Sequence, residues 1–354
     1  MNESIIALDV RTVGNRKTGD TTYWTGLIHG LSHIGSDFRY LLYSNAPKPA
    51  EIPEHERLRW IELPGRNQRW WSIVSFPLAA RKAGASLVHT QYNLSPLAKA
   101  GVTTIHDISF LIGPEWFKPR DRFLLRRFVP ASARRAKRVI TVSETSKRDM
   151  LKFMPVLENK ISVTLEACGL GIHRVENPDV ARLGIDRPFL LTVGTRWPRK
   201  NMKLALEAVE LLSQSLPHRL AVTGHPAWDN EAVQGRSFAT GYLSDGDLCS
   251  LYSAADLYLA PSRYEGFGLT LPEAFTCGCP VLCSSGGALP EVAGDAAEIE
   301  TTWDPAHWAR TIEALIADSS KLQAMRQKGF DRARKFTWEN TARQTEEAYR
   351  EALR

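Results

Sequence analysis

Eleven short runs rich in β-branched and apolar residues recur along this 354-residue chain, each followed by a longer amphipathic stretch. In the first half they are Ser4–Val10, Arg39–Ser44, Ser86–Thr90, Val102–His106, Arg138–Ser143 and Ile161–Leu165. In the second half they are Pro188–Gly194, Arg219–Gly224, Asp256–Ala260, Pro280–Ser284 and a weaker run near Ala297–Glu300. A strand followed by a helix-length connection, many times over, folds into parallel sheets with helices on both faces. The alternation breaks at about residues 170–187, where Gly169, Gly171, Pro178, Gly184 and Pro188 cluster. With 43% apolar residues the chain can fill two cores. The expected fold is therefore α/β, with two doubly wound, Rossmann-like domains facing a cleft. Residues 1–178 form the first and 179–335 the second. The stretch 336–354 reads as a helix with Phe336, Trp338, Ala342 and Tyr349 buried, which finishes the second domain or crosses back onto the first. Ligands of such sheets bind outside the carboxyl ends of the strands.

Composition narrows the partners. No run of about 18 apolar residues is present, so no membrane span is expected. The start, Met1-Asn2-Glu3-Ser4, lacks a basic segment followed by an apolar one, which argues against secretion. Five cysteines, an odd number, read as reduced thiols of a cytoplasmic protein. Cys277, Cys279 and Cys283 lack zinc-site spacing and read as core, so no metal is expected. Charge is uneven: residues 1–178 carry 26 Lys and Arg against 16 Asp and Glu, a net +10, and the remainder carries 19 against 23, a net −4. Residues 118–138 hold nine cations and one acid, Asp121, interleaved with Phe117, Phe123, Leu124, Leu125, Phe128 and Val129. Such a helix either lies on the anionic inner face of a membrane or buries its apolar side in its own domain. No nucleic-acid partner is expected.

The segment Ser262-Arg263-Tyr264-Glu265-Gly266-Phe267-Gly268-Leu269-Thr270-Leu271-Pro272-Glu273-Ala274 follows the run Asp256–Ala260. It sets two carboxylates eight positions apart, with a glycine loop between them and Pro272 at the expected first position of a helix. Gly266 and Gly268 let the backbone approach a phosphate, and the free N–H groups of a helix start receive an anion. The carboxylates suit hydroxyls elsewhere on the same ligand, so a sugar nucleotide satisfies both halves. Either acid alone reads equally as a solvated loop residue or one that offsets the helix dipole.

Three further segments add to it. Leu190–Asn201 ends a strand candidate at Gly194 and then places Arg196, Arg199 and Lys200 before a helix expected over Met202–Leu212. Cations at that edge meet a diphosphate and stabilise it as a leaving group, or simply solvate a basic helix entry. His106-Asp107 ends the run Val102–His106, where a histidine supplies a hydrogen bond or a proton near neutral pH, or is structural. The loop Gly14–Tyr23 cradles phosphate, binds an acceptor or is a plain connection; it is not a P-loop, because no Gly-Lys-Ser/Thr follows a four-residue gap.

Taken together these residues resemble the retaining glycosyltransferases of GT-B type in family 4, the glycosyl transferases group 1, with bacterial mannosyl- and rhamnosyltransferases nearest. The E-x7-E motif falls on Glu265 and Glu273, the "VGT..PRKN" segment on Val193–Asn201, "LPEVAGDAA" on Leu289–Ala297 and "tiHD" on Thr104–Asp107. The resemblance implies that Arg199 and Lys200 hold the donor diphosphate, with Arg196 beside them in the same segment. It implies that Glu265 meets sugar hydroxyls and Glu273 the ribose, and that backbone around Phe267, Gly268 and Leu269 meets phosphate. By the same resemblance His106 lies beside the donor sugar, Gly19 lets the diphosphate approach, no metal or cofactor is bound, and the helix from 336 crosses back. Two departures stand out. The family's Gly-Ile-Gly-Arg-Tyr is here Gly19-Asp20-Thr21-Thr22-Tyr23, which puts that loop's phosphate contact in question, and Thr270 replaces a common proline.

The expected activity is transfer of a hexose from a nucleotide-diphosphate sugar to a hydroxyl of a glycan or lipid-linked acceptor, with retention. GDP-mannose is the first choice of donor and UDP- or dTDP-sugars the next. The alternatives are a phosphorylase or nucleotide-sugar hydrolase on the same fold, and a non-catalytic sugar-nucleotide-binding protein.

Overall fold

The structure, a computed structural model, describes residues 4–14, 18–65, 67–225, 233 and 235–354. The chain divides into two compact units, Met1–Ala167 with Thr337–Arg354, and Cys168–Phe336. The first holds a sheet of seven strands: β1 (Ser4–Asp9), β2 (Phe38–Ser44), β3 (Leu58–Glu62), β4 (Leu87–Gln91), β5 (Gly101–Thr104), β6 (Arg138–Thr141) and β7 (Ile161–Val163). The second holds six: β8 (Phe189–Val193), β9 (Arg219–Thr223), β10 (Ser237–Gly241), β11 (Leu257–Ala260), β12 (Val281–Ser284) and β13 (Ala297–Glu300). Their orders are β3-β2-β1-β4-β5-β6-β7 and β10-β9-β8-β11-β12-β13. All these pairings are parallel. In both sheets the winding reverses after the third strand, so that the fourth lies on the other side of the first, and a crevice opens at the carboxyl ends between β1 and β4 and between β8 and β11.

Two strands escape the sequence reading, and both are edges. β3 (Leu-Arg-Trp-Ile-Glu) and β10 (Ser-Phe-Ala-Thr-Gly) have no uninterrupted apolar run, because each pairs with one neighbour and keeps part of its surface in water. The boundary expected at residue 178 shifts to 167. Residues 168–178 join the second unit because the His173 N–H donates to Cys249 Sγ (3.3 Å) and the Val175 N–H to Ser253 Oγ (3.0 Å), while Ile172 is buried.

The helix Trp338–Leu353 belongs to the first unit and packs on the helix Gly19–His33. Glycines make that approach possible. A Cβ on Gly26 would stand 2.0 Å from the Trp338 ring, and one on Gly30 2.1 Å from the Trp338 carbonyl oxygen. Trp338, Ala342 and Tyr349 are buried on this helix, and Phe336 is buried in the second unit. Polar groups lock the packing as well: Tyr40 Oη donates to the buried Glu346 (2.5 Å), which also receives Arg350 (3.0 Å). One core cluster of the second unit is mostly aliphatic. Leu190, Leu220, Leu257 and Leu282 of four adjacent strands meet Ala205 and Trp308 from covering helices.

Candidate functional site

The crevice of the second unit is built from the two segments that leave β8 and β11. After β8 the chain turns at Gly194 (φ +136°), runs through a short 3-10 turn Pro198–Lys200, and enters the helix Met202–Leu211 through Asn201 in left-handed conformation (φ +51°). After β11 it forms the loop 261–269. The two are sewn together by backbone: the Arg263 N–H donates to the Arg199 carbonyl (2.7 Å), and Asn201 Nδ2 to the Pro261 carbonyl (3.2 Å).

This stitching brings Arg199, Lys200 and Glu265 together. Glu265 is 6% exposed. Its Oε1 accepts from Ser262 Oγ (2.6 Å) and stands 2.6 Å from Lys200 Nζ; its Oε2 accepts from Arg199 Nη1 (2.8 Å). Arg199 Nη1 also donates to the Tyr264 carbonyl (3.0 Å). Burial alone would push the Glu265 carboxyl up, but the charges of Lys200 and Arg199 and the hydrogen bonds from Lys200 and Ser262 overturn it and hold it at about 2. Two cations around one carboxylate leave the cluster a net positive charge, which suits an anionic ligand.

A second glycine pair, which the sequence reading passed over, shapes the loop from behind. Gly287 (φ +62°) comes so close that a Cβ there would lie 2.3 Å from the Glu265 carbonyl oxygen, and one on Gly286 2.2 Å from that of Ser262. The Ala288 N–H donates to the Glu265 carbonyl (2.9 Å), and Ser284 Oγ donates to the Ser262 carbonyl. The visible signal was Ser284-Ser285-Gly286-Gly287 directly after a strand, the same grammar as the recognised loop.

The remaining expected positions fall as follows. Gly268 has φ +92°, and a Cβ there would stand 2.7 Å from Leu289, so glycine is needed on both counts. Phe267 is buried edge-on against Phe336 (5.5 Å), and Leu269 is half-buried just before the helix Thr270–Cys277. That helix begins two residues earlier than expected, so Pro272 is its third residue rather than its first. A proline there still removes only an N–H that has no partner within the helix. Glu273 remains in the first turn, buried, and accepts from Tyr252 Oη (3.2 Å). The Arg196 N–H donates to the His225 carbonyl (3.0 Å). Among the described residues no group of three His, Cys, Asp or Glu side chains is arranged to hold a metal ion.

His106 and Gly19 lie in the first unit. His106 follows β5 and stands 2.9 Å from Glu166 Oε1 through Nδ1 and 3.7 Å from Asp20 Oδ1 through Nε2. Burial disfavours its charged form, but Glu166, then Asp20 and Asp107, outweigh burial and raise its pKa above the ordinary value. One strand away His89 is wholly buried between two hydroxyls, Tyr349 Oη (2.7 Å) and Thr104 Oγ1 (2.8 Å), and burial drives its pKa down to about 3. Gly19 is exposed and opens the helix Gly19–His33, capped by Thr18, whose Oγ1 accepts from the Thr21 N–H (3.4 Å). Residues 15–17 of the same expected loop lie outside the described residues. The sequence reading missed Glu166 entirely, a lone glutamate three residues past a strand.

The basic stretch forms the helix Pro119–Arg135. It buries Val129, Pro130, Ser132 and Ala133 but leaves Phe123 68% and Phe128 51% exposed beside the exposed Arg120, Arg126 and Arg127. Among the described residues no helix is long and apolar enough to cross a membrane.

Comparison with known proteins supplies a separate line of evidence. The family described as Glycosyl transferases group 1 matches residues 175–332, and Glycosyltransferase Family 4 matches residues 19–164. The chain is 32% identical over 270 residues to the O-antigen chain mannosyltransferase B of Escherichia coli, a match that covers 70% of each chain. Sucrose-phosphate synthase of Thermosynechococcus elongatus superposes with a TM-score of 0.77 at 21% identity, covering 98% of each chain. Anabaena HepE in complex with UDP and glucose superposes with a TM-score of 0.71 at 16% identity, covering 98% of this chain and 99% of that one.

Proposed function

The chain belongs to the glycosyl transferases group 1 of glycosyltransferase family 4, GT-B hexosyltransferases, and on that premise we propose that it transfers mannose from GDP-mannose to a hydroxyl of a growing glycan. The observation that carries the proposal is the cluster of Arg199 and Lys200 around the buried Glu265 in the crevice between β8 and β11. The cluster's excess positive charge would bind the diphosphate and stabilise it as it departs. Glu265, fixed as a carboxylate, would accept hydrogen bonds from sugar hydroxyls, Glu273 from the ribose, and His106 would lie beside the sugar. Among the described residues no side chain is singled out as a nucleophile, so retention would come from attack on the face that the diphosphate leaves. Mannose is favoured because the curated relative at 32% identity is named a mannosyltransferase; HepE, bound to UDP and glucose, is alike in fold only.

Thermal unfolding against GDP, UDP and dTDP tests the donor. A ligand at about 100 times its Kd adds about 2.7 kcal/mol of stability, so GDP should raise Tm by several degrees and the others by less. A larger shift with UDP or dTDP would replace the donor, and incubation of GDP-mannose without acceptor that yields free mannose would favour hydrolysis.

The acceptor would be lipid-linked, with the helix Pro119–Arg135 docking on anionic lipid through Phe123, Phe128 and the arginines beside them. Co-sedimentation with phosphatidylglycerol vesicles should fall with salt and fall further in Phe123→Ser/Phe128→Ser. Absence of binding, or binding indifferent to salt, would sink this part.

A further inference from the structure

His106 sits between carboxylates that come from different elements of the first unit. Glu166, in the segment after β7, is 3% exposed and stands 2.9 Å from Nδ1. Its Oε1 lacks a hydrogen bond of good geometry, so charge rather than alignment carries that contact. Asp20, in the first turn of the helix Gly19–His33, is half exposed and stands 3.7 Å from Nε2. It lies beside Thr21, the residue that stands in place of the second glycine of the family's loop.

Other groups among the described residues surround the ring. Tyr23 meets it edge-on (4.9 Å), and Tyr92, in left-handed conformation (φ +59°), lies 5.7 Å away. Ser146 Oγ donates to the His106 carbonyl (3.0 Å), and Asp107 accepts from the Ser109 N–H (2.8 Å). His89 on β4 is neutral. Gln91 Nε2 stands 3.2 Å from His106 Nε2 and donates to the Asp20 carbonyl (3.2 Å). That orientation suits an unprotonated Nε2, so it competes with the carboxylates. The carboxylates win on magnitude. A neutral ring would take from the buried Glu166 the positive charge that faces it, whereas turning the Gln91 amide costs one neutral hydrogen bond.

We propose that Glu166 and Asp20 are positioning residues that keep His106 doubly protonated, so that the ring offers only N–H donors and the ligand atom that replaces Asp20 at Nε2 is an oxygen acceptor. The identity of that ligand rests on the sugar-nucleotide reading above; the charge of the ring does not. Asp20 suits displacement because it is half exposed and its contact is long, while Glu166 is enclosed and stays.

The test is a pH titration of the imidazole nitrogens by proton–nitrogen NMR in the full chain, for wild type, Glu166→Gln, Glu166→Asp and Asp20→Asn. His106 should remain doubly protonated through neutral pH in wild type. Glu166→Gln should weaken proton binding about tenfold or more, Glu166→Asp should restore much of it, and Asp20→Asn should act less because water screens it. A wild-type ring neutral at pH 7, or titration unchanged in Glu166→Gln, would overturn the proposal. Adding GDP-mannose should shift the Nε2 signal and spare Nδ1; the same shift with GDP alone assigns the accepting oxygen to phosphate rather than sugar. Turnover is not needed for the titration. If GDP-mannose leaves the ring untouched while Glu166→Gln still moves its titration, the donor reading fails and the carboxylate grip stands.

Discussion

Each unit takes a glutamate out of water near the carboxyl edge of its sheet, and the two differ in what compensates it. Glu265 in the second unit has Arg199, Lys200 and Ser262; Glu166 in the first has His106. Arginine and lysine stay charged across the physiological range, whereas the charge of histidine depends on pH and on its neighbours. One cluster is therefore permanent and the other conditional. A permanent cluster suits a ligand that is always anionic, such as a diphosphate. A conditional one suits a contact that must form and release.

The largest expected effect tests the permanent cluster. Lys200→Ala leaves Arg199 and Ser262 on Glu265 and removes the excess positive charge. Loss of one preorganised donor to a developing anion costs about 10²–10³ in kcat, and steady-state kinetics with GDP-mannose should show a loss of that size. A variant with unchanged kcat/KM would separate the cluster from the reaction and leave it a structural ion pair. Glu166→Gln should cost less in the same assay at pH 6 than at pH 8, because only there does the ring's charge depend on the carboxylate.

How legible these clusters were in the sequence follows from the same contrast. Glu265, Arg199 and Lys200 lie on contiguous loops that leave strands, among glycines and a proline, and could be picked out before any contact was known. Their mutual pairing could not, because spacing does not say which cation meets which acid; Arg263 N–H on the Arg199 carbonyl decides it. Glu166 has no local grammar at all, since its meaning comes from His106, sixty residues away in sequence. Asp20 was visible only as a departure. The interior strands were plain from their apolar runs, but β3 and β10 were not, because edges carry polar residues. Helix ends drifted by a residue or two, as at Thr270, where proline fits several first-turn positions.

A smaller effect probes the scaffold of the permanent cluster. Gly287→Ala forces a side chain into left-handed backbone and against the Glu265 carbonyl, where a Cβ would stand at 2.3 Å. Overpacking and strain of this kind cost about 1–3 kcal/mol. Chemical denaturation should show that loss, together with weaker donor binding because the Glu265 loop shifts. Full stability with full binding would mean that the loop tolerates movement that the geometry forbids. In the first unit the glycines at Gly26 and Gly30 serve helix packing instead.

The smallest effect separates the two histidines, and it sharpens why only one of them is conditional near neutrality. His106 has a raised pKa, so its contribution to stability is complete below the unfolded value of about 6.5 and is lost as pH rises through the folded value. His89 has a pKa driven down to about 3, so its contribution is complete above about 6.5 and is lost as pH falls toward 3. Glu265, held at about 2, adds a loss only below its unfolded value of about 4.5. The combined contribution of the two histidines should therefore peak near pH 6.5, with His106 responsible for its alkaline fall and His89 for its acid fall. Tyr349→Phe removes one hydrogen bond to a neutral ring, which costs about 0.5–1.5 kcal/mol. That cost should be the same at pH 7 and pH 8.5, because His89 is neutral at both, whereas Glu166→Gln should flatten the alkaline fall over the same interval. Denaturant unfolding at the two pH values measures both. A pH-dependent Tyr349→Phe would mean that the hydroxyl pair, and not only the carboxylate pair, governs a titrating ring, and the division between the two histidines would dissolve.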